Sequence, residues 1–358
     1  MPIDIASTIT ATSGFACSVT TSCRSVQPLP PPRFHAERSQ RIRIDITSVL
    51  MYTINMPNPR ILLTCLSRST HYHCISRAVD RDFKFADHER DVFRKILRQV
   101  EAFSGVRVVT WTILSNHFHV LLEVPARPEE PLSDGQILER CRALYSSDAM
   151  IAIEWEFDQA RSRSGTALEN LRQKYLHRMW DLSEFMKTLK QKFSSWFNRK
   201  HERVGTLWES RFKSVIVEGH WHSLLKIAAY IDLNAVRAGL VEDPKDYRWC
   251  GYSEAVAGDK LARCGLATAL DLEKPTAFWR EIGPRYRKIL FGIGEGNSAR
   301  AGISREEVAK VFEAGGKLSL PQLLRCRIRH FTDGLAVGSA EFIGRVFTAN
   351  RQAFSEKR

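Results

Sequence analysis

The chain has 358 residues, 44% hydrophobic and 26% charged, with a formal net charge of +13 and an isoelectric point near 9.5. That is material for one large domain or two smaller ones, and no apolar run approaches the ~18 residues that a membrane span needs. The cationic surplus points to a polyanionic partner, nucleic acid before membrane; eight scattered cysteines without a Cys-x-x-Cys pair speak against a zinc ribbon or disulfide scaffold and fit a reducing cytoplasm.

Residues 1–56 are rich in Ser and Thr, carry Pro28-Leu29-Pro30-Pro31-Pro32 and keep no helical or strand period, so they are expected to be disordered. They lack the basic start and continuous apolar core of a secretory signal. Met51 and Met56 lie just upstream of the first ordered-looking segment, and one expectation is therefore an internal translation start.

Order is expected from about Thr70, with Tyr72 to Arg77 as a strand. Asp87 is the expected N-cap of a helix carrying Val92, Phe93, Ile96, Leu97, Val100 and Phe103, and Gly105 can end it. Val106 to Leu114 reads as a second strand, and Ser115-Asn116 as a tight turn into a third, His117 to Glu123. Strand side chains alternate faces, so His117 and His119 point one way and Phe118 the other. Two imidazoles at that spacing suit a pair of metal ligands, a pair of hydrogen-bond donors, or polar residues on a solvated sheet face. Spacing alone leaves all three open.

From 126 to 180 the chain turns charged and helical, an insertion or arm with helices over Ile137 to Tyr145 and Ala167 to Met179. A capping signal at Asp181 and Glu184 then starts a helix whose apolar stripe runs Leu182, Phe185, Met186, Leu189, Phe193, Trp196 and Phe197. Its other face is basic, and the basic run continues through Arg199, Lys200 and Arg203 to Trp208, Arg211 and Lys213. A solvated lysine-rich face is one reading. Cations interleaved with Trp208 also suit a phosphate backbone and a stacked base. Lys213 to Glu218 is a fourth strand. The order β-α-β-β-α-β implies an α+β, ferredoxin-like split β-α-β sheet with two main helices, the arm lying between its halves.

A last helix, Leu224 to Val236, carries a core stripe on one side. Lys226, Tyr230, Asn234 and Arg237 fall together on another, at helical spacing. Tyr230 can pack at a core edge or present its phenol as a nucleophile. Asn234 can supply a neutral oxygen ligand, and Lys226 and Arg237 can stabilise phosphate charge.

The strand His117-Phe118-His119, the segment Gly205-Thr206-Leu207-Trp208-Glu209-Ser210-Arg211-Phe212-Lys213 and the helix Tyr230-Ile231-Asp232-Leu233-Asn234-Ala235-Val236-Arg237-Ala238-Gly239-Leu240 together resemble the HUH single-tyrosine transposases. The nearest branch is the insertion-sequence-200-like, REP-associated tyrosine transposases. Tyr72-His73 and Asp243-Pro244-Lys245-Asp246-Tyr247-Arg248-Trp249 fit the same pattern, so the resemblance spans roughly residues 70 to 255. Two positions depart from it: Ala235 stands where the family usually has proline, and Cys250-Gly251 replaces a small polar pair.

The resemblance implies a catalytic domain over 57–260, with His117 and His119 as histidine ligands of Mg²⁺ or Mn²⁺ and Asn234 as an amide ligand. Tyr230 would be the nucleophile, leaving a 5′-phosphotyrosine link and a 3′-hydroxyl able to reattack. Single-stranded or hairpin DNA is the implied partner, met by Arg77, Arg199, Lys200, Trp208, Arg211, Lys213, Lys226 and Arg237. The implied setting is cytoplasmic and nucleoid-associated, without a membrane, as a monomer or a homodimer. A silent DNA-binding protein that recognises repeats is the alternative. Residues 265–358 are expected to be separate: three short helices, at Ser304, over Leu320 to Phe331 and over Ser339 to Phe347, forming a DNA-binding module or a helical cap.

Overall fold

The computed structural model describes residues 52–53, 69–82, 84–272, 279–291, 324 and 329–350. At the middle of its sheet lies β2 (Thr70–Arg77), with β4 (His117–Val124) antiparallel on one side and β5 (Lys213–Val217) antiparallel on the other. The outer neighbour of β4 is β3 (Arg107–Ile113), also antiparallel. With α1 (Asp87–Ser104) and α5 (Leu182–Lys200) as crossovers, the order β5-β2-β4-β3 is the expected ferredoxin-like split β-α-β core. Gly105, at φ 73°, ends α1 as expected. At its start Ala86 is the N-cap in place of Asp87, and its N–H is taken by the Glu89 carboxylate.

Period-2 alternation decides what each face holds. Phe118, Val120 and Leu122 point to α1 and α5, where the Phe93 ring lies 4.7 Å from that of Phe118 and 5.3 Å from that of Phe193. The opposite face carries the polar set. His117 pairs across the ladder with Arg77, His119 with Ile75, and His73 with Leu121.

Trp208 is a correction. Its ring belongs to the aromatic core at Phe85, Phe118 and Phe193, it is 7% exposed, and its Nε1 donates to the Lys190 carbonyl. Most of the indole is spent on core packing, and the little of it left at the surface borders the cleft of Lys187, Lys190 and Arg211. The interleaved cations marked the loop as wet, but the apolar gap beside Phe118 decides where the tryptophan goes.

The arm holds three helices, α2 (Asp134–Leu144), α3 (Ser147–Arg163) and α4 (Gly165–Leu176), each started by a serine N-cap at Ser133, Ser146 or Ser164. Behind the polar sheet face run α6 (Trp221–Asp232), α7 (Asn234–Arg237), α8 (Gly251–Ala257), α9 (Lys260–Ala269) and α10 (Trp279–Phe291). On α9, Gly265 packs so close to β3 that a Cβ would stand 2.2 Å from the Val109 carbonyl oxygen.

The C-terminal region is not separate, which corrects the sequence expectation. After α11 (Arg329–Asp333), the strand β6 (Ala336–Gly338) adds parallel to β5, and β1 (Tyr52–Thr53) adds antiparallel to β6. So Tyr52 and Thr53, inside the stretch expected to be disordered, are paired strand residues. An open β5 edge would leave N–H and C=O groups unpaired. Ile216 and Glu218 instead donate to the Leu335 and Val337 carbonyls at 2.9 Å, and the Glu218 carboxylate takes the N–H and hydroxyl of Ser339, N-cap of α12 (Ala340–Ala349). The helix expected at Ser304, and most of the one expected over Leu320 to Phe331, lie outside the described residues; Arg329 to Phe331 are helical, within α11.

The helix expected over Leu224 to Val236 is two. It breaks at Leu233 (ψ 3°), so Tyr230 lies in the last turn of one segment, which ends at Asp232, and Asn234 begins the next. The Tyr230 carbonyl, which the Asn234 N–H would use in an unbroken helix, accepts from Arg237 Nη2 at 2.6 Å. Between them, Asp232 is fully buried, accepting from Thr110, the Tyr252 N–H and the Tyr286 hydroxyl. Burial raises its pKa to about 7, against the pull of those donors. The native state therefore holds a proton on Asp232 between about pH 4 and 7 that the unfolded chain has released. This group favours folding most at low pH, and the benefit declines as pH rises through that window. Asp232→Asn is expected to flatten the decline, read by urea unfolding at the two ends of the window.

Candidate functional site

Tyr230 from α6 is laid over the polar face of the sheet, beside residues more than a hundred positions earlier. Its ring centroid lies 6.5 Å from that of His119 and 6.4 Å from that of His73, edge-on to both. His117 and His119, adjacent on the same face of β4, have ring centroids 5.1 Å apart. The expected nucleophile therefore lies beside His119, with His117 next along the same strand face.

Hydrogen bonds orient both histidines. Asn116 donates its Nδ2–H to the Arg81 carbonyl (2.8 Å), which turns its Oδ1 to His117; the Nδ1–H of His117 donates to it at 2.7 Å, placing the imidazole lone pair on Nε2. His119 Nδ1 lies 2.9 Å from His73 Nε2, and His73 Nδ1 lies 2.7 Å from the Phe331 carbonyl oxygen. Burial pulls the His73 pKa down to about 4 and that of His119 well below its ordinary value, so both rings are neutral. His73 and Asn116 escaped the sequence reading as site residues. Only the shared face of β2 and β4 could have hinted at His73.

Asn234 begins α7 with 8% exposure, and its side-chain amide makes no hydrogen bond among the described residues. Among those residues no three His, Cys, Asp or Glu side chains gather with metal-ligand geometry. An ion here would rest on two imidazoles with the neutral amide. The lone pair that Asn116 places on His117 Nε2, and the unengaged amide, fit that donor set.

The surroundings are cationic. Arg237 and Arg77 are the charged side chains acting on His119, after burial and the neighbouring histidines. Lys226, one turn before Tyr230, is lowered by burial to about 8. Arg237 stacks its guanidinium 3.8 Å from the Tyr230 ring centroid and donates to the Leu324 and Tyr230 carbonyls. The Phe331 ring stands perpendicular to that of Tyr230 with centroids 5.1 Å apart, and Tyr230 is only 2% exposed.

The remaining basic residues divide. Lys213, across the ladder from Ile75, is ion-paired to Asp333 at 2.8 Å beside the histidine end of the sheet. Arg199 and Lys200 are exposed at the end of α5, on the other face, and are not brought to Tyr230. Arg211 lines a cleft of about 530 Å³ with Lys187 and Lys190, between α5 and the 205–212 loop, again away from the histidines.

No family model matches the chain, and no curated protein matches it. A solved structure of a REP-associated tyrosine transposase bound to a REP hairpin resembles it with a TM-score of 0.35 and 13% identity, over 57% of this chain and 87% of that one. No helix of the described residues is long and apolar enough to cross a membrane. The α+β class rests on the strand order and crossovers themselves.

Proposed function

We propose that the protein is a metal-assisted, single-strand DNA endonuclease and strand transferase acting on hairpin-bearing ends or repeats. The observation that carries this is the approach of Tyr230 to His119, with His117 beside it on the same strand face and Arg237 and Arg77 acting on the group, from elements far apart in sequence. The Tyr230 oxygen attacks phosphorus, the bond to the 3′-oxygen breaks, and that oxygen leaves as a 3′-hydroxyl while the 5′ side stays on the tyrosine. A neutral phenol is a weak nucleophile, so the negative charge that develops around the phosphorus in the transition state must be met by positive charge nearby. Arg237 over the ring and Lys226 one turn away supply it. His117, His119 and Asn234 would hold Mg²⁺ or Mn²⁺, which when bound supplies Lewis-acid polarisation of the scissile phosphate. Arg77 sits across the ladder from His117, where a DNA backbone would approach.

The enclosure of Tyr230 by Phe331 and Arg237 favours a second reading, a silent DNA-binding protein on the same basic surface. Incubation with labelled single-stranded hairpin oligonucleotides separates them. The enzyme gives a covalent protein–DNA adduct in Mg²⁺ or Mn²⁺ that is absent in chelator and maps to Tyr230 by mass spectrometry. Binding without any adduct in either metal supports the silent reading.

A further inference from the structure

We infer that His73, backed by the carbonyl of Phe331, is a positioning residue that fixes the tautomer and aim of His119; the inference rests on the metal-site reading above. The argument runs along one line of hydrogen bonds. A carbonyl oxygen only accepts, so at 2.7 Å from Phe331 the His73 Nδ1 carries the proton. His73 is fully buried and among the described residues no carboxylate bonds to it, so the ring is neutral and its Nε2 holds a lone pair. That lone pair faces His119 Nδ1 at 2.9 Å. Two lone pairs cannot share such a contact, so His119 Nδ1 carries a proton and donates. The His119 lone pair is left on Nε2, the nitrogen away from His73.

The chain from His119 to His73 to the Phe331 carbonyl thus has one direction, set at its far end by a backbone atom. It does for His119 what Asn116 and the Arg81 carbonyl do for His117. Outer hydrogen bonds of this kind raise the basicity of a ligating imidazole and hold its plane. The stacked rings of His73 and His119, with centroids 5.1 Å apart, add a steric hold. An atom 258 positions from His73 therefore belongs to the site, which gives the C-terminal segment a role in ligand geometry.

Two measurements on the full chain test this. Nitrogen-15 histidine spectra of the wild type at neutral pH should show His119 protonated at Nδ1 and bare at Nε2; the opposite tautomer overturns the inference. Calorimetric titration with Mn²⁺ should show His73→Phe binding about 10–100-fold more weakly than wild type. His73→Gln, whose amide oxygen can accept from His119, should recover most of the loss. Thermal melting of each variant accompanies the titration, and if His73→Phe does not fold, the wild-type tautomer decides. Equal Mn²⁺ affinity in wild type and His73→Phe defeats the positioning role alone. Absence of Mn²⁺ binding in the wild type defeats the metal site, and this inference with it.

Discussion

Tyr230→Phe is expected to remove covalent DNA adduct formation by at least about 10³-fold, the scale on which loss of a nucleophile is felt, while leaving the fold intact. The phenol oxygen makes no hydrogen bond among the described residues, so its removal orphans no partner. What holds the side chain is its ring, packed against the Arg237 guanidinium at 3.8 Å and the perpendicular Phe331 ring at 5.1 Å. Phenylalanine keeps both contacts and nearly the same volume, so the stability change should stay under about 1.5 kcal/mol. The variant should also bind hairpin DNA as the wild type does. Adduct formation by the phenylalanine variant at the wild-type rate would remove Tyr230 from the chemistry. An unfolded variant would show that the hydroxyl is structural.

Arg237→Ala carries the largest expected cost in stability. The guanidinium is 7% exposed and bridges the Leu324 carbonyl of the C-terminal region to the Tyr230 carbonyl at the helix break. Deletion loses two charge-assisted bonds and the stacking, and leaves two buried acceptors behind, about 3–5 kcal/mol in all. The urea midpoint should fall accordingly, and limited proteolysis should cut the C-terminal segment before the sheet core. Arg237→Lys keeps the charge but cannot span both carbonyls, so it should recover less than half of the loss. An unchanged midpoint in Arg237→Ala would mean that the tail is held by other contacts.

How far the sequence could be read depended on the range of the interaction. The four-strand core was legible because period-2 alternation in His117 to Val124 and the apolar stripe of α5 are local patterns that name their own buried faces. His117 and His119 announced themselves in the same way. Trp208 did not, because the residues around it in sequence are mostly polar or charged while its neighbours in space, Phe85, Phe118 and Phe193, come from three distant places in the chain. Arg199 and Lys200 looked like one surface with Lys226 and Arg237, yet the sheet lies between the two pairs.

By itself the sequence determined the strand and helix periods, the cationic balance and the residue types able to do phosphoryl chemistry, all set by composition and spacing within a few turns of chain. Tertiary structure alone decided that β6 closes the open edge of β5, that Phe331 and Arg237 enclose Tyr230, and that a tail carbonyl orders two histidines. The physical reason is that buried polar groups must find partners wherever the fold brings them. For His73 that partner lies 258 residues away, at a separation where no local pattern survives.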